Sequence, residues 1–406
     1  MKRKFPIIIL LTTGLFLLTA CFSNAPKKLS DNHLVLQSKE RKNLLNTIKN
    51  RYYFNQLSDE QKENYLILRQ KASTFKDTIS LTPASQKSVI KTIDAFIMDN
   101  PDLYWLSSNP YQIELSQNDA FVTFKVPDDA EQNYQKIQEI TDHIIAQAPM
   151  TSDYDKVSYF YKTIIENTDY NKEALDRFNA GDQRLAAQNQ DVRSVFLEHK
   201  SVCNGYAQAF QLLCQKAGIS SIYVKGTVKS SQTEKELPHA WNLVAIADHY
   251  YAVDTTWGDP IFDQMLSGQR QENINYNFLC MPDHVVNRSH HANLDLDYQK
   301  GKKIKNAWTL PDCTDDSLLY SKQNQFYLEH FNTDEVLNTL ENQLLNGQNP
   351  VSIQMANEQD FLSFTKDIES NNTKYHELFN HYWSNYSGYS YSIIPELYSI
   401  SFHRNE

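Results

Sequence analysis

Residues 201–260 read SVCNGYAQAFQLLCQKAGI, then an apolar run, then a polar loop, then LPHAWNLVAIADHYYAVDTTWGDP. That order demands one helix followed by strands, and it spreads Cys203, His239 and Asp254 over the helix and the last two strands. Tyr206, Phe210, Leu213 and Ala217 recur at helical spacing, and Gly218 suits a left-handed stop after them. Residues 203–217 therefore read as a helix with Cys203 in its first turn. Residues 219–228, 239–247 and 250–255 read as strands. Residues 229–238 read as a loop closed by Pro238, and Asp248-His249 as a short turn.

The placement of Cys203 has chemical consequences. A thiol attacks a carbonyl only as thiolate, so it needs a favourable field or a nearby base. The positive end of a helix favours the anion, and the unpaired N–H groups of the first turn can hold an oxyanion. Gly205 lowers helix propensity, which a close backbone approach by a strand or a substrate would explain. On period-2 alternation His239, Trp241 and Leu243 share a strand face. Asp254, on the following strand, is placed to orient an imidazole and fix its tautomer. A pairing centred between Ile246 and Ala247 puts Asp254 opposite His239; a tighter turn further along offsets them by a few residues. A metal site built from these residues lacks any short ligand-pair spacing, and His284, His290 and His291 make only a loose cluster.

VCNGYAQAF, HAWN and DTTWGDP, in that order, resemble the transglutaminase-like superfamily, its bacterial extracellular branch in particular. YFYKTIIENTDY at 159–170 is similar to the helix that leads into that branch's core, and YNFLCMPDHVVNRSH at 276–290 to the segment after its aspartate. The resemblance covers roughly residues 155–290. It implies an α+β fold with a papain-like core, in which a cysteine-bearing helix packs on an antiparallel sheet carrying histidine and aspartate. It implies Cys203 as nucleophile, His239 as base and Asp254 as orienter, acting on amides of peptides or proteins through a thioester, with no cofactor and no metal. Water would resolve that thioester as hydrolysis, an amine as cross-linking. Trp241 and Trp257 are the candidates for substrate binding, and Tyr170 is a candidate for a further oxyanion donor. The alternative reading is a noncatalytic surface protein that uses the same cleft to capture peptide or glycan.

The chain opens with Lys2, Arg3 and Lys4, followed at 7–18 by an apolar run too short to span a bilayer comfortably. Leu18-Thr19-Ala20-Cys21 resembles the bacterial lipoprotein processing box. That implies cleavage before Cys21, acylation of Cys21 by a fatty acid such as palmitate, and a protein tethered outside the cytoplasmic membrane. An ordinary secretory peptide is the other reading. Wall-associated or surface peptides then become the expected substrates. A net charge of −10 disfavours nucleic acid as a partner.

The chain has 406 residues, enough for several domains, and its 41% hydrophobic content is enough for packed cores. The expected division is a signal segment at 1–21, a linker at 22–38, an N-terminal α+β domain at 39–150, the core at 151–300 and a C-terminal α/β domain at 301–406. In the N-terminal part, Ser58 with Gln61 predicts a capping box for a helix to about residue 71, and Thr82-Pro83 a second helix start. Residues 111–115 and 120–126 predict a hairpin, and residues 128–147 a helix. Ser152 or Asp153 should cap a helix to Asn167, ahead of a polar loop at 179–190. The basic run 300–305 reads as a solvated link. Beyond it, helices are expected around 336–344 and 357–370, and strands at 350–355 and 397–403. Clustered tyrosines at 382–391 suit either strand packing or recognition of a polar polymer. Cys203 and Cys214 lie on one helix and cannot bridge; Cys280 and Cys313 form either a disulfide or buried thiols.

Overall fold

A computed structural model describes residues 21–22, 38–108, 110–116, 120–179, 189–229, 236–259, 274–299 and 301–405. It mixes helix and strand, 46% and 21%, the α+β class expected. Two compact units form. The first takes the described residues up to Gly226 together with Pro238–Ala245 and Ala292–Pro311; the second takes Thr227–Leu237, Ile246–His291 and the residues from Asp312 onward.

In the first unit, local capping decides where helices start. The Ser58 hydroxyl accepts from the Gln61 N–H at 3.4 Å and the Gln61 side chain accepts from the Ser58 N–H at 3.0 Å, so helix Asp59–Ala72 begins on the expected capping box. Helix Asp153–Glu166 begins on Ser152, whose side chain accepts from the Asp155 N–H at 3.0 Å. The helix expected at Thr82-Pro83 starts later, at Gln86, capped by Ser85. Asn64 explains the delay: its side chain donates to the Thr82 carbonyl at 3.1 Å and accepts from the Thr82 N–H at 2.8 Å, which holds that backbone out of the helix. Asp99 closes helix Gln86–Asp99 onto the preceding segment by accepting the Tyr53 and Phe54 N–H groups at 3.2 and 2.8 Å. Burial pushes its carboxyl up to about 6, against the pull of Arg51 and these hydrogen bonds. The expected hairpin is present as Gln112–Leu115 paired antiparallel with Ala120–Thr123; residues 117–119 of its turn lie outside the described residues. Its sheet runs in the order Cys21–Phe22, Gln112–Leu115, Ala120–Thr123, Thr78–Leu81, with the first pair parallel.

Helix Cys203–Lys216 is the centre of this unit. Helices Ala130–Gln147, Asp153–Glu166 and Val192–Phe196 pack around it. All residues from Cys203 to Cys214 are buried, so it is enclosed on every side and carries no single apolar stripe. Inside it, the Gln211 amide N–H donates to the Met98 carbonyl at 2.9 Å. Gly218, at φ 79°, ends the helix as expected.

Strands Ser221–Val228, Leu237–Ile246 and His249–Val253 follow the helix in chain order. The last two strands are separated only by Ala247, at φ 52°, and Asp248, so the turn is tight and sits one residue before the Asp248-His249 pair. Within the run expected as a link, Lys302–Ile304 instead pairs antiparallel with Leu296–Gln299, burying Ile304 against Leu296 while Lys303 and Lys305 approach Asp297 and Asp295.

In the second unit, the C-terminal sheet runs Tyr327–Leu328, Val351–Met355, Ser399–Asn405, Gly388–Ile394 and is covered by helices Thr333–Leu345, Glu358–Ser370 and Asn372–Tyr382. The tyrosine-rich segment is largely packing. Phe379 lies 4.9 Å from Trp383 and 4.5 Å from Tyr389, and Tyr391 lies 5.8 Å from Phe402. Among the described residues no helix is long and apolar enough to cross a membrane.

Candidate active site

Cys203 is the first residue of its helix, and the residue before it, Val202, has no side chain able to cap. Among the described residues the backbone N–H groups of Cys203, Asn204 and Gly205 make no hydrogen bond, as the start of an uncapped helix dictates. Three donors therefore stand in the same turn as the thiol, and Cys203 is 3% exposed. The first turn is fixed by its second residue. The Asn204 amide donates to the Gln190 carbonyl at 2.6 Å, while its oxygen accepts from the Tyr223 hydroxyl and from Gln208 at 3.3 Å. Burial, and then the nearness of Cys203, drive the Tyr223 phenol well above its usual range, so it stays a neutral donor.

The strand before the helix is tied down as well. Asp169–Tyr170 runs parallel to Lys200–Ser201, with Tyr170 level with Ser201. Tyr170 is buried, its ring 6.3 Å from that of Tyr206. The reason for Gly205 is backbone approach by the chain itself. A Cβ there would meet Ser201 Oγ at 2.1 Å, the Asp191 carbonyl oxygen at 2.9 Å and Ser194 Oγ at 3.0 Å.

His239 and Trp241 lie two residues apart on strand Leu237–Ile246, both buried. Their rings are stacked, 6.2 Å between centroids and 19° between planes. The spacing is the period-2 face expected of a strand.

In the second unit Asp254 directly follows strand His249–Val253 and is fully buried. Its N–H donates to the Phe278 carbonyl at 3.0 Å. Its Oδ1 accepts from the Thr256 and Trp257 N–H groups at 2.9 and 3.1 Å, a local turn written into DTTW. Its Oδ2 faces His290 Nε2 at 3.0 Å. His290 is buried too, and its Nδ1 lies 2.8 Å from the Ser289 hydroxyl. Trp257 packs its ring 4.8 Å from His290 and 5.4 Å from Phe278. This indole is 1% exposed, so it acts first as packing around the Asp254–His290 pair.

His290 is the residue that sequence reasoning placed in a loose histidine cluster without a role. Its neighbour His291 is exposed beside Glu236, with Nδ1 3.5 Å from Oε1. Cys214, Cys280 and Cys313 are buried free thiols, so Cys280 and Cys313 do not form the disulfide that sequence left open. Burial pushes the Cys313 thiol up to about 12 and Cys280 higher still, which makes both inert at neutral pH. Cys21 pairs through its backbone with Gln112.

Residues 130–255 match the transglutaminase-like superfamily. The chain is 30% identical to mouse kyphoscoliosis peptidase over 122 residues, 29% of this chain and 17% of that protein. It is 33% identical to the human kyphoscoliosis peptidase over 93 residues, 20% of this chain and 14% of that one. It thus spans less than a fifth of the length of these relatives. Among solved structures it is similar to a TGase at 17% identity, covering 36% of this chain and 44% of that one with a TM-score of 0.26. It is also similar to a putative cysteine protease from Cytophaga hutchinsonii at 15% identity, 36% and 53% coverage and a TM-score of 0.22. The stretch that matches the transglutaminase-like superfamily, 130–255, contains Cys203, His239 and Asp254.

Proposed function

We propose that this protein is a cysteine acyl-transfer enzyme in which Cys203, His239 and Asp254 act together on amide bonds of peptides or proteins. The observation that carries the reading is a buried cysteine opening an uncapped, fully enclosed helix with three backbone donors beside it. A structural cysteine has no use for that arrangement, since uncapped N–H groups in a buried setting are costly without a partner.

In this reading His239 takes the Cys203 proton and the thiolate adds to the amide carbonyl. The first-turn N–H groups receive the oxyanion. The C–N bond then breaks, the proton on His239 passes to the leaving amine or ammonia, and a thioester remains. Water, giving its proton to His239, releases an acid and restores the thiol; an amine in its place forms a new amide. Asp254 holds the imidazole in the tautomer that accepts the thiol proton. Trp241, stacked on His239, would keep water from the imidazole and border the bound substrate.

The N-terminal Leu18-Thr19-Ala20-Cys21 supports acylation at Cys21 and a tethered protein facing outward, which makes surface and wall peptides the natural substrates. The test is a library of glutamine-containing peptides, followed for ammonia, amine incorporation and cleavage. Wild type should act and Cys203→Ala should be silent, a loss of at least about 10³-fold. Equal activity in the variant would remove the mechanism. Binding without turnover in both would favour the capture reading.

A further inference from the structure

We propose that His290 is a positioning residue for this site: its Nε2–H fixes the Asp254 carboxylate in the one orientation that serves the catalytic imidazole. The inference rests on the reading of Asp254 as orienter and adds a fourth side chain to it.

The argument begins with what a buried carboxylate requires. Asp254 is fully buried, and an ionised carboxylate in such a place needs donors on both oxygens. Oδ1 is served by two N–H groups of its own turn, Thr256 and Trp257. Those bonds hold one oxygen from within the turn. The contact at Oδ2 comes from 36 residues away, from His290 at 3.0 Å, and holds the other from outside it. A carboxylate only accepts, so Nε2 must carry the proton. Nδ1 is then left to accept from the Ser289 hydroxyl at 2.8 Å. One imidazole thereby links a serine to the carboxylate in a defined tautomer.

The imidazole is itself immobilised. Trp257 donates its backbone N–H to Asp254 while laying its ring 4.8 Å from His290, so the same residue supports the carboxylate and its partner. Ser289 is anchored from the other side, its carbonyl accepting from the Lys229 N–H at 2.9 Å. A histidine serving only as core filler would need neither the serine nor the carboxylate.

The test uses the full chain and four proteins: wild type, His239→Ala, His290→Leu and His290→Gln. Each is treated with iodoacetamide at one neutral pH, and carboxamidomethylation of Cys203 is timed by peptide mass spectrometry. Thermal melting is recorded alongside. Leucine fills the space without an N–H, whereas glutamine can present one to Asp254. We expect His290→Leu to slow Cys203 labelling about tenfold, and His290→Gln to stay within about threefold of wild type, as loss and retention of one charge-assisted hydrogen bond require. Labelling of both variants at the wild-type rate overturns the proposal. So does equal slowing of both, which would mark a packing effect. If His239→Ala leaves Cys203 labelling unchanged, the failure lies in the triad reading itself.

Discussion

Asp254→Asn is expected to lower kcat/KM by about 10³- to 10⁴-fold while the protein still folds. The substitution keeps the shape of a fully buried side chain. Its oxygen can still accept from Thr256 and Trp257, so the turn survives. The change falls on the other atom. Where Oδ2 accepted from His290 Nε2, an NH₂ group now faces an N–H, and two donors cannot bond. Either His290 changes tautomer and gives up the Ser289 hydroxyl, or the amide turns and abandons its own turn. In both cases the proposed base loses the anion that steadies its protonated form. The measurement is kcat/KM on the best peptide from the glutamine library, with a melting curve as control. A loss below about tenfold with an unchanged melting temperature would show that Asp254 does not serve catalysis.

The second large effect is structural. Gly205→Ala should destabilise the protein by roughly 2–4 kcal/mol, although alanine is the better helix former by about 1 kcal/mol. The added methyl would overlap Ser201 Oγ at 2.1 Å and press on the Asp191 carbonyl at 2.9 Å, and backbone cannot rotate away as a side chain can. Ser201 has little room either, because its hydroxyl is held by Ser194 at 2.6 Å and by the Asn189 carbonyl at 3.0 Å. Relief therefore displaces the first helical turn and Cys203 with it, so labelling of the cysteine should fall together with stability. Urea unfolding of the purified variant reads the first effect. Adding Ser201→Ala should recover part of the loss by removing the closest contact. A Gly205→Ala protein as stable as wild type would show that this approach is not tight.

What could be read from the chain, and what could not, follows the range of each interaction. Capping is local, so Ser58 with Gln61 and Ser152 were legible within four residues. The cysteine helix and the strands after it were legible because their apolar spacing is regular. The Asp254 turn could have been read too, since its donors lie two and three residues on. Interactions that fold brings from afar were not. Nothing near Thr82 announces that Asn64 will clamp its backbone and delay a helix. Gly205 signalled a close approach, but not that Ser201, Ser194 and the Asp191 carbonyl make it. His290 gained a role only through its contact with Asp254. Helix Asn372–Tyr382 escaped because asparagine, histidine and aromatic residues weaken its pattern; Tyr375 and Phe379 are its buried members.

The most direct test of the account is competitive labelling of the native protein by limiting iodoacetamide at neutral pH, resolved cysteine by cysteine. Activation by a helix start and an imidazole predicts that Cys203 reacts at least about 100-fold faster than Cys214, Cys280 and Cys313, and that His239→Ala removes most of that advantage. Slow labelling of all four at similar rates, unaltered in His239→Ala, would contradict it.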